Sequence, residues 1–312
     1  MTVAMSAQLT SAGGSLGATL NGINLARVSD QEFNSILAAL AQFGVLRFPA
    51  QQLSAQELRH FSARFGELEV NVANAFQEPG VPEVMILSNV VVAGHPIGLA
   101  DAGQDWHTDM SYNAMVAFAN VLYAIEVPYR DGRPLGATEF CDMAAAYAGL
   151  PAAVREQIEG CQAWHDFSKF WDKMRSRPGS TRAALTELQR RTKPPVLQPM
   201  VIKHPLSGDK MLYVNPGYAM SIEGMEPTAS ADLLDYLFAH QTQHCFRYTF
   251  DWSPGDVLLW DDLRTIHRAV ADYSAGERRL IKRCQVMASK FAPSAVYGAS
   301  LGLQRGGKQR DD

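Results

Sequence analysis

The chain has 312 residues, of which 47% are hydrophobic and 19% are charged, and its formal net charge is −4. This composition is typical of a globular protein with a sizeable core, and it excludes a disordered or fibrous chain. The small negative charge gives no electrostatic reason to expect nucleic acid or an anionic membrane as a partner. Cys141, Cys161, Cys245 and Cys284 form no C-x-x-C pair, so we expect free thiols and no zinc knuckle.

The sequence also lacks the marks of a secreted or membrane protein. Its first residues contain no charged segment followed by an apolar core, and no apolar run reaches the roughly 18 residues that a membrane span needs. We therefore expect a cytoplasmic protein. Because we find no internal repeat and no low-complexity linker, we expect residues 1–312 to form a single domain, with a flexible tail at about 303–312.

The N-terminal part predicts short strands and two helices. Residues 15–26 alternate small, apolar and polar side chains, which indicates strands joined by glycine turns. A capping-box sequence at 29–32 predicts the start of an amphipathic helix. The run 44–49 reads as a buried strand that ends at a proline, and 53–68 reads as a second helix capped by Ser54.

Short apolar runs broken by Gly, Pro and Asn fill most of the remaining chain. Their sequences are VMILSNVVV, ANVLYAIEVP, ATEFCDM, PMVIKHP, MLYVNP, DVLLWD and IKRCQVMAS. Regularly spaced short strands of this kind, without a βαβ rhythm, favour a barrel or a jelly roll. Helices are predicted at 142–160, with a break at a proline, and at 230–243. The fold class is therefore mainly β with helical additions, an α+β protein.

The segment 168–195, called the lid segment below, is basic and punctuated by Gly and Pro. Long insertions without strand character tend to be lids or exposed loops. We expect its cations to form a solvated face, with attraction of anionic substrates as a lesser possibility. These cations are Lys169, Lys173, Arg175, Arg177, Arg182, Arg190, Arg191 and Lys193.

Candidate metal ligands occur in two distant segments. On an extended strand, His107 and Asp109 point to the same face and can converge on one ion, although such a pair alone is more typical of a hydrogen-bonded turn. His267 follows a buried strand in the second segment. Two histidines and one carboxylate form the facial triad of non-haem Fe(II) oxygenases, and Arg279 beyond them could hold a carboxylate. A satisfied core histidine and an ordinary surface arginine remain the alternatives for these two residues.

From about Leu16 to about Ser289, the chain resembles the taurine dioxygenase / 2,4-dichlorophenoxyacetate dioxygenase family of Fe(II)- and 2-oxoglutarate-dependent oxygenases. The motifs that carry the resemblance are WHTD at 106–109, HDF at 165–167, HP at 204–205, YVNPGY at 213–218, and WDD…H…ADY…RRLIKR at 260–283. The resemblance implies a double-stranded β-helix (jelly-roll) core with the iron at one mouth. It also implies O2 and 2-oxoglutarate as co-substrates, succinate and CO2 as products, and a small organic acid that becomes hydroxylated.

The resemblance assigns roles residue by residue. His107, Asp109 and His267 match the iron ligands and so form the catalytic centre. Thr138 and Arg279 match the residues that bind the distal carboxylate of 2-oxoglutarate.

Two further arginines follow from the same match. The spacing from the distal histidine is one residue longer here, which makes Arg278 a rival of Arg279 for 2-oxoglutarate. Arg283 matches the arginine that binds the acidic group of the prime substrate. Family members commonly associate, so a homo-oligomer is expected.

Departures from taurine dioxygenase point to a different prime substrate. Asn71 and Asn74 replace a histidine and a tyrosine that help to hold taurine, Phe170 and Trp171 replace a serine and a phenylalanine, and Tyr218 replaces a phenylalanine. More aromatic surface and fewer amine partners favour a larger apolar or aromatic acid, such as an aryloxyalkanoate. An alkyl sulfonate or sulfate is the alternative, and plain core packing is the other interpretation of Phe170 and Trp171.

Two interpretations from other functional classes stay open at this point. A His/Asp/His zinc hydrolase would give Arg279 no role and would need a general base beside the metal, which we do not find in the sequence. A non-catalytic metal-binding barrel would need only the ligands. At the proposed iron site, Trp106 and Trp260 are expected to be packing residues that wall the site and not reactive groups.

Overall fold

The computed structural model describes residues 8–70, 76–177 and 183–291. Its helices are α1 (Asp30–Phe43), α2 (Ala55–Ala63), α3 (Met143–Ala148), α4 (Ala152–Ile158), α5 (Phe167–Arg175), α6 (Glu187–Thr192) and α7 (Pro227–Gln241). Two 3-10 turns are Leu25–Arg27 and His244–Phe246. Among these helices, none combines the length and the apolar character that a bilayer crossing requires.

The strands are, in chain order, β1 (Gln8–Ser11), β2 (Ala18–Asn21), β3 (Val45–Phe48), β4 (Gln77–Glu78), β5 (Val81–Ser88), β6 (Val91–Val92), β7 (His95–Pro96), β8 (Ala117–Glu126), β9 (Tyr129–Arg130), β10 (Arg133–Pro134), β11 (Thr138–Asp142), β12 (Gln162–His165), β13 (Val196–Pro199), β14 (Val201–Lys203), β15 (Lys210–Leu212), β16 (Ala219–Ile222), β17 (Arg247–Phe250), β18 (Val257–Asp261), β19 (Thr265–Ala269) and β20 (Leu280–Met287).

One large sheet and smaller sheets organise these strands. The large sheet has the order β1-β2-β3-β18-β8-β20-β5-β4, and two three-stranded sheets have the orders β17-β11-β19 and β13-β12-β16. Across the interior, Phe140 of β11 meets Trp260 of β18 edge to face, with ring centroids 5.3 Å apart. The large sheet and the β17-β11-β19 sheet therefore face each other across a shared core, which is the two-layer arrangement expected of a jelly roll.

The central strand β8 shows why its sequence is almost continuously apolar. Its first eight residues are all buried, because helices α1 and α2 cover the outer side of the large sheet and the second layer covers the inner side. A strand that is covered on both faces cannot alternate with polar residues. Asn120 is the exception on this strand and is fully buried, so it must find partners inside the protein.

Capping determines where the first helices begin. Ser29 and Ser54 each accept a hydrogen bond from the N3 backbone amide of their helix, and both helices have the complete capping box. The predicted starts are therefore confirmed. The second helix ends at Ala63, earlier than the predicted residue 68, and Leu25–Arg27 is a 3-10 turn where a strand was expected, since the Asn24 side chain caps it.

The two helical stretches in the middle of the chain also agree with prediction. The predicted proline break divides 142–160 into α3 and α4. The last helix begins at Pro227, earlier than the predicted residue 230, because the Glu226 carboxylate accepts hydrogen bonds from the Thr228 and Ala229 amides. All four cysteines are free, as expected.

The lid segment is more structured than its sequence suggested, because α5 and α6 lie within it. The expected solvated cationic face is wrong for several of its members. The Lys169 ammonium donates to the Ala219 carbonyl at 2.5 Å, and Arg177 pairs with Asp105 at 2.7 Å. Lys193 lies over the Phe167 ring, 4.5 Å from its centroid. Arg182 and the predicted tail at 303–312 lie outside the described residues.

Candidate active site

Three predicted ligands meet where the two layers come together. His107 and His267, the latter on β19, exchange main-chain hydrogen bonds of 3.1 and 2.7 Å, so an isolated antiparallel bridge places their side chains next to each other. The imidazole centroids are 4.3 Å apart. Asp109 places its carboxylate oxygens 3.7 Å from His107 Nε2 and 3.9 Å from His267 Nε2.

This arrangement fits a divalent metal ion. One ligand atom from each of the three residues lies within 4.8 Å of the other two. Ligands about 2.1 Å from a metal and at right angles are about 3 Å apart, so binding an ion would draw these three atoms together by at most about 1.8 Å. Asp105 accepts through its carbonyl from His107 Nδ1 at 2.7 Å, which leaves the Nε2 lone pair for the metal. Burial, with the neighbouring His107, holds the pKa of His267 well below its usual value, so its ring is neutral.

The charge of Asp109 is stabilised from several directions. Burial acts to raise its pKa, but Arg283 and the two histidines outweigh burial and hold the pKa of this carboxyl below its usual value. Arg283 Nη1 is 3.4 Å from Asp109 Oδ2. Asn120 donates to the same oxygen at 2.9 Å. A carboxylate that is ionised at neutral pH is what the third ligand of the facial triad requires.

The predicted 2-oxoglutarate residues come from two strands: Thr138 begins β11, and Arg279, just before β20, has its side chain beside Gly136, two residues before Thr138. Thr138 accepts from Trp252 Nε1 at 3.0 Å, which leaves its own O–H available to a ligand carboxylate. Arg279 is 7% exposed, and a Cβ added at Gly136 would lie 3.2 Å from its Nε. Burial lowers the pKa of the Arg279 guanidinium, although contact with Tyr273 opposes that shift.

Arg278 and Arg279 have opposite surroundings. The Arg278 side chain is 58% exposed and pairs with Glu126 at 2.7 Å. Among the residues that the structure describes, no carboxylate forms an ion pair with Arg279. A buried cation without a counter-ion is costly, so the geometry favours Arg279 as the residue that awaits a ligand carboxylate.

The predicted substrate residues are partly brought to the triad. Phe170 packs on His107 with ring centroids 5.1 Å apart. The ring centroid of Tyr218 lies 5.2 Å from that of Phe170 and 6.2 Å from that of His107. Trp171 instead donates from its indole to the Ala183 carbonyl at 2.8 Å, within the lid segment, so its assignment to the substrate site stays a prediction. Asn71 and Asn74 lie outside the described residues.

The two tryptophans expected to wall the site differ in position. Trp260 packs on His267 with ring centroids 4.8 Å apart and so borders the triad. Trp106 instead carries the Arg247 and Arg268 guanidinium groups over its ring, at 5.6 and 4.8 Å from the centroid. Trp106 therefore packs against these two arginine side chains. A packing role agrees with the contacts of both tryptophans.

Several residues near the triad were not assigned roles from the sequence. Tyr112 packs on Tyr218 with ring centroids 4.6 Å apart. Asn120 and Asp262 are fully buried beside the ligands. Glu69 is half-buried, and burial raises its pKa while Lys193 and Arg283 oppose the shift. Two signals in the sequence could have pointed to them: Asp262 belongs to the WDD motif at 260–262, and Asn120 is a lone polar residue in an otherwise apolar run.

The two other histidine motifs have structural roles. His165 is fully buried and contacts the Ser111 hydroxyl through Nδ1 at 3.0 Å, and burial lowers its pKa to about 3. His204 Nε2 pairs with Asp261 at 2.7 Å, and the Ser207 amide donates to its Nδ1. Neither histidine joins the metal-binding group.

With this geometry established, comparisons with known proteins give the family. Residues 6–285 match the family described as "Taurine catabolism dioxygenase TauD, TfdA family". Pentalenolactone F synthase from Streptomyces arenae is 30% identical over 278 residues, which cover 87% of this chain and 92% of that protein. The alpha-ketoglutarate-dependent 2,4-dichlorophenoxyacetate dioxygenase from Burkholderia sp. (strain RASC) is 32% identical, with 83% and 87% covered.

A solved structure agrees with the sequence comparisons. The crystal structure of a taurine dioxygenase from Burkholderia xenovorans matches with a TM-score of 0.74 and 27% identity, covering 91% of this chain and 90% of that chain. The family match decides against the zinc hydrolase and the non-catalytic barrel, and the mixed, strand-rich fold is confirmed. This chain belongs to the TauD/TfdA family and is a 2-oxoglutarate-dependent dioxygenase whose His-Asp-His triad suits Fe(II).

Proposed function

We propose that this enzyme hydroxylates a C–H bond of a small carboxylic acid with an aromatic or apolar body, similar to an aryloxyalkanoate. The observation that carries the proposal is the Arg283 guanidinium, which lies 3.4 Å from Asp109 of the triad and contacts the Met85 thioether, while aromatic rings pack on His107 of the same triad. The guanidinium Nε is buried without a hydrogen-bond partner among the described residues. An acid group on the substrate would satisfy it.

Each part of the site then has one task. His107, Asp109 and His267 would hold Fe(II), which supplies the oxidising chemistry with O2. Thr138 and Arg279 would bind the far carboxylate of 2-oxoglutarate. In the balanced reaction, substrate, O2 and 2-oxoglutarate give hydroxylated substrate, succinate and CO2.

The protein's own contribution is to orient the substrate and exclude water. Arg283 would fix the acid end of the substrate, and since Nη1 lies 3.4 Å from Asp109, that end would stay close to the metal. Phe170 and Tyr218 form the side of the site against His107, and Met85 contacts the Arg283 guanidinium at 3.6 Å. Such a surface suits an apolar substrate body. The similarity to a 2,4-dichlorophenoxyacetate dioxygenase supports the same substrate class.

An amino sulfonate is the second candidate. The structural match to a taurine dioxygenase supports it, and so does Glu69, whose half-buried carboxylate lies within electrostatic range of Arg283. Arg283 and Glu69 together would suit a molecule with an anionic and a cationic end. The aromatic wall favours the first candidate, because a small zwitterion would leave that surface uncovered.

A substrate panel separates the two. We expect aryloxyacetates and aryloxypropionates to release succinate with a kcat/KM at least tenfold above that of taurine and other alkyl sulfonates. If the hydroxylated carbon bears the ether oxygen, the product collapses and releases a phenol, which is measured directly. Preferred turnover of taurine would refute the proposed substrate class. The expected homo-oligomer is tested separately by light scattering.

A further inference from the structure

A second carboxylate lies directly behind the triad. Asp262 is 1% exposed and follows strand β18. Its Oδ1 accepts from Trp260 Nε1 at 3.0 Å, and its Oδ2 accepts from Asn120 Nδ2 at 2.7 Å. Its main-chain carbonyl accepts from the hydroxyl of Thr108 at 2.5 Å, the residue between His107 and Asp109 in the sequence. Asp262 is therefore fixed on three sides.

This carboxylate faces the back of His267. The Nδ1 atom of His267 is 3.9 Å from Asp262 Oδ1, and it is buried without a hydrogen-bond partner among the described residues. The opposite ring atom, Nε2, is the one that faces Asp109. The separation is about 1 Å longer than an N–H···O hydrogen bond, so a small rotation of the imidazole would close it.

The same carboxylate is connected to the third ligand. One nitrogen, Asn120 Nδ2, donates both to Asp262 at 2.7 Å and to Asp109 at 2.9 Å. Asp262 therefore faces His267 across 3.9 Å and is linked to Asp109 through one amide. His107 is held differently, by the Asp105 carbonyl at 2.7 Å.

We propose that Asp262 is a positioning residue of the metal site. Its carboxylate accepts the Nδ1–H of His267, which fixes the tautomer whose Nε2 lone pair points to the metal, and it holds Asp109 in place through Asn120. An ionised carboxylate suits this position because it can accept about four hydrogen bonds; burial and the charge of Asp109 raise the pKa of Asp262, and the hydrogen bond from Trp260 opposes that shift. An amide at the same place has one acceptor oxygen and would set an NH2 group against one of the three donors. Loss of such a partner typically lowers metal affinity about 10–100-fold.

The test is the affinity of the D262N variant for Mn(II), measured by calorimetry without 2-oxoglutarate or prime substrate. We expect Kd to rise about 10–100-fold relative to the unaltered protein. D256N is the matched control, since Asp256 is also 1% exposed and accepts from Arg47 at 2.9 Å away from the triad. Both variants should lose stability, but D256N should keep its Kd. An unchanged Kd in folded D262N would overturn the proposal.

A second measurement covers the case in which D262N does not fold. The unaltered protein, labelled with 15N-histidine and loaded with Zn(II), should show His267 protonated at Nδ1 and metallated at Nε2, assigned by comparison with H267Q. The opposite assignment, or an Nδ1 proton that exchanges freely with water, would overturn the proposal. Neither measurement involves the prime substrate, so their outcome is independent of the proposed substrate class.

Discussion

Replacing Arg279 by methionine removes a buried guanidinium that awaits the distal carboxylate of 2-oxoglutarate. The guanidinium is 7% exposed and forms no ion pair with a carboxylate among the described residues. Removing one partner of a buried charge pair costs about 3–5 kcal/mol, which corresponds to roughly two to three and a half powers of ten in affinity. We therefore expect the KM for 2-oxoglutarate to rise by at least about a hundredfold in R279M. The Tm of the free protein should stay the same or rise, because an unpaired buried charge has been removed.

The assay is succinate release at varied 2-oxoglutarate, together with anaerobic titration of the violet absorption that Fe(II) and 2-oxoglutarate give when they bind together. R278M is the matched control, because the neighbouring arginine is exposed and pairs with Glu126. Since surface ion pairs contribute about 0–1 kcal/mol, R278M should keep its KM within about a factor of two.

Two results would contradict this assignment. If R278M raises the KM as much as R279M does, Arg278 also binds 2-oxoglutarate. The one-residue longer spacing from His267 would then have changed which arginine lies in the site. If neither variant changes the KM, 2-oxoglutarate binds elsewhere. With a 2-oxo acid that lacks the distal carboxylate, R279M should approach the activity of the unaltered enzyme. Neither the guanidinium nor the distal carboxylate is then present to be left unpaired.

Three further predictions concern the triad, the substrate and pH. In G217A, the added Cβ would lie 2.8 Å from the Cβ of His107, so Mn(II) affinity should fall at least about tenfold. The control is G276A, where nothing lies within 4 Å of the added Cβ and Mn(II) should bind normally. Equal affinities of the two variants would contradict the close contact at Gly217. R283M should lose at least about a hundredfold in kcat/KM for the prime substrate and, at saturating Fe(II), keep its KM for 2-oxoglutarate; an equal rise in that KM would show that the arginine serves 2-oxoglutarate. Burial lowers the pKa of His165 from 6.5 to about 3, so the unfolded state binds more protons between these values and stability falls as pH falls through this window, by up to about 1.4 kcal/mol per pH unit. In H165Q, urea unfolding at pH 7 and pH 5 should show a smaller difference than in the unaltered protein, and an unchanged difference would assign the proton uptake to other groups.

Local rules allowed parts of this fold to be predicted from the sequence. A serine followed three residues later by glutamate begins both N-terminal helices, because both backbone and side-chain hydrogen bonds of the cap lie within four residues. The strand expected at His107 and Asp109 is not formed: His107 lies in an isolated bridge and Asp109 in the turn that follows it, although the two side chains do converge. Their meeting with His267 depended on the family's motifs, since only the folded chain brings the segments together.

Features that depend on register or helix rotation could not be predicted. Asn120 reaches two carboxylates because the sheet register places it opposite Trp260, which no local pattern records. Phe170 and Trp171 were grouped as substrate residues, but successive helix positions differ by about 100°, so Phe170 packs on His107 while Trp171 donates to the Ala183 carbonyl. The basic lid sequence likewise did not show that the Lys193 ammonium would lie over aromatic rings.

The main-chain bridge between His107 and His267 has a consequence for how the enzyme acquires its metal. Two of the ligands are joined by peptide hydrogen bonds, which use main-chain atoms and none of the imidazole nitrogens that would bind the metal. Loading should therefore be a late event on an already folded protein, and stripping with a chelator should leave the scaffold intact and ready to be refilled. Unlike a zinc finger, which depends on its ion to fold, this fold builds its coordinating pair from backbone alone.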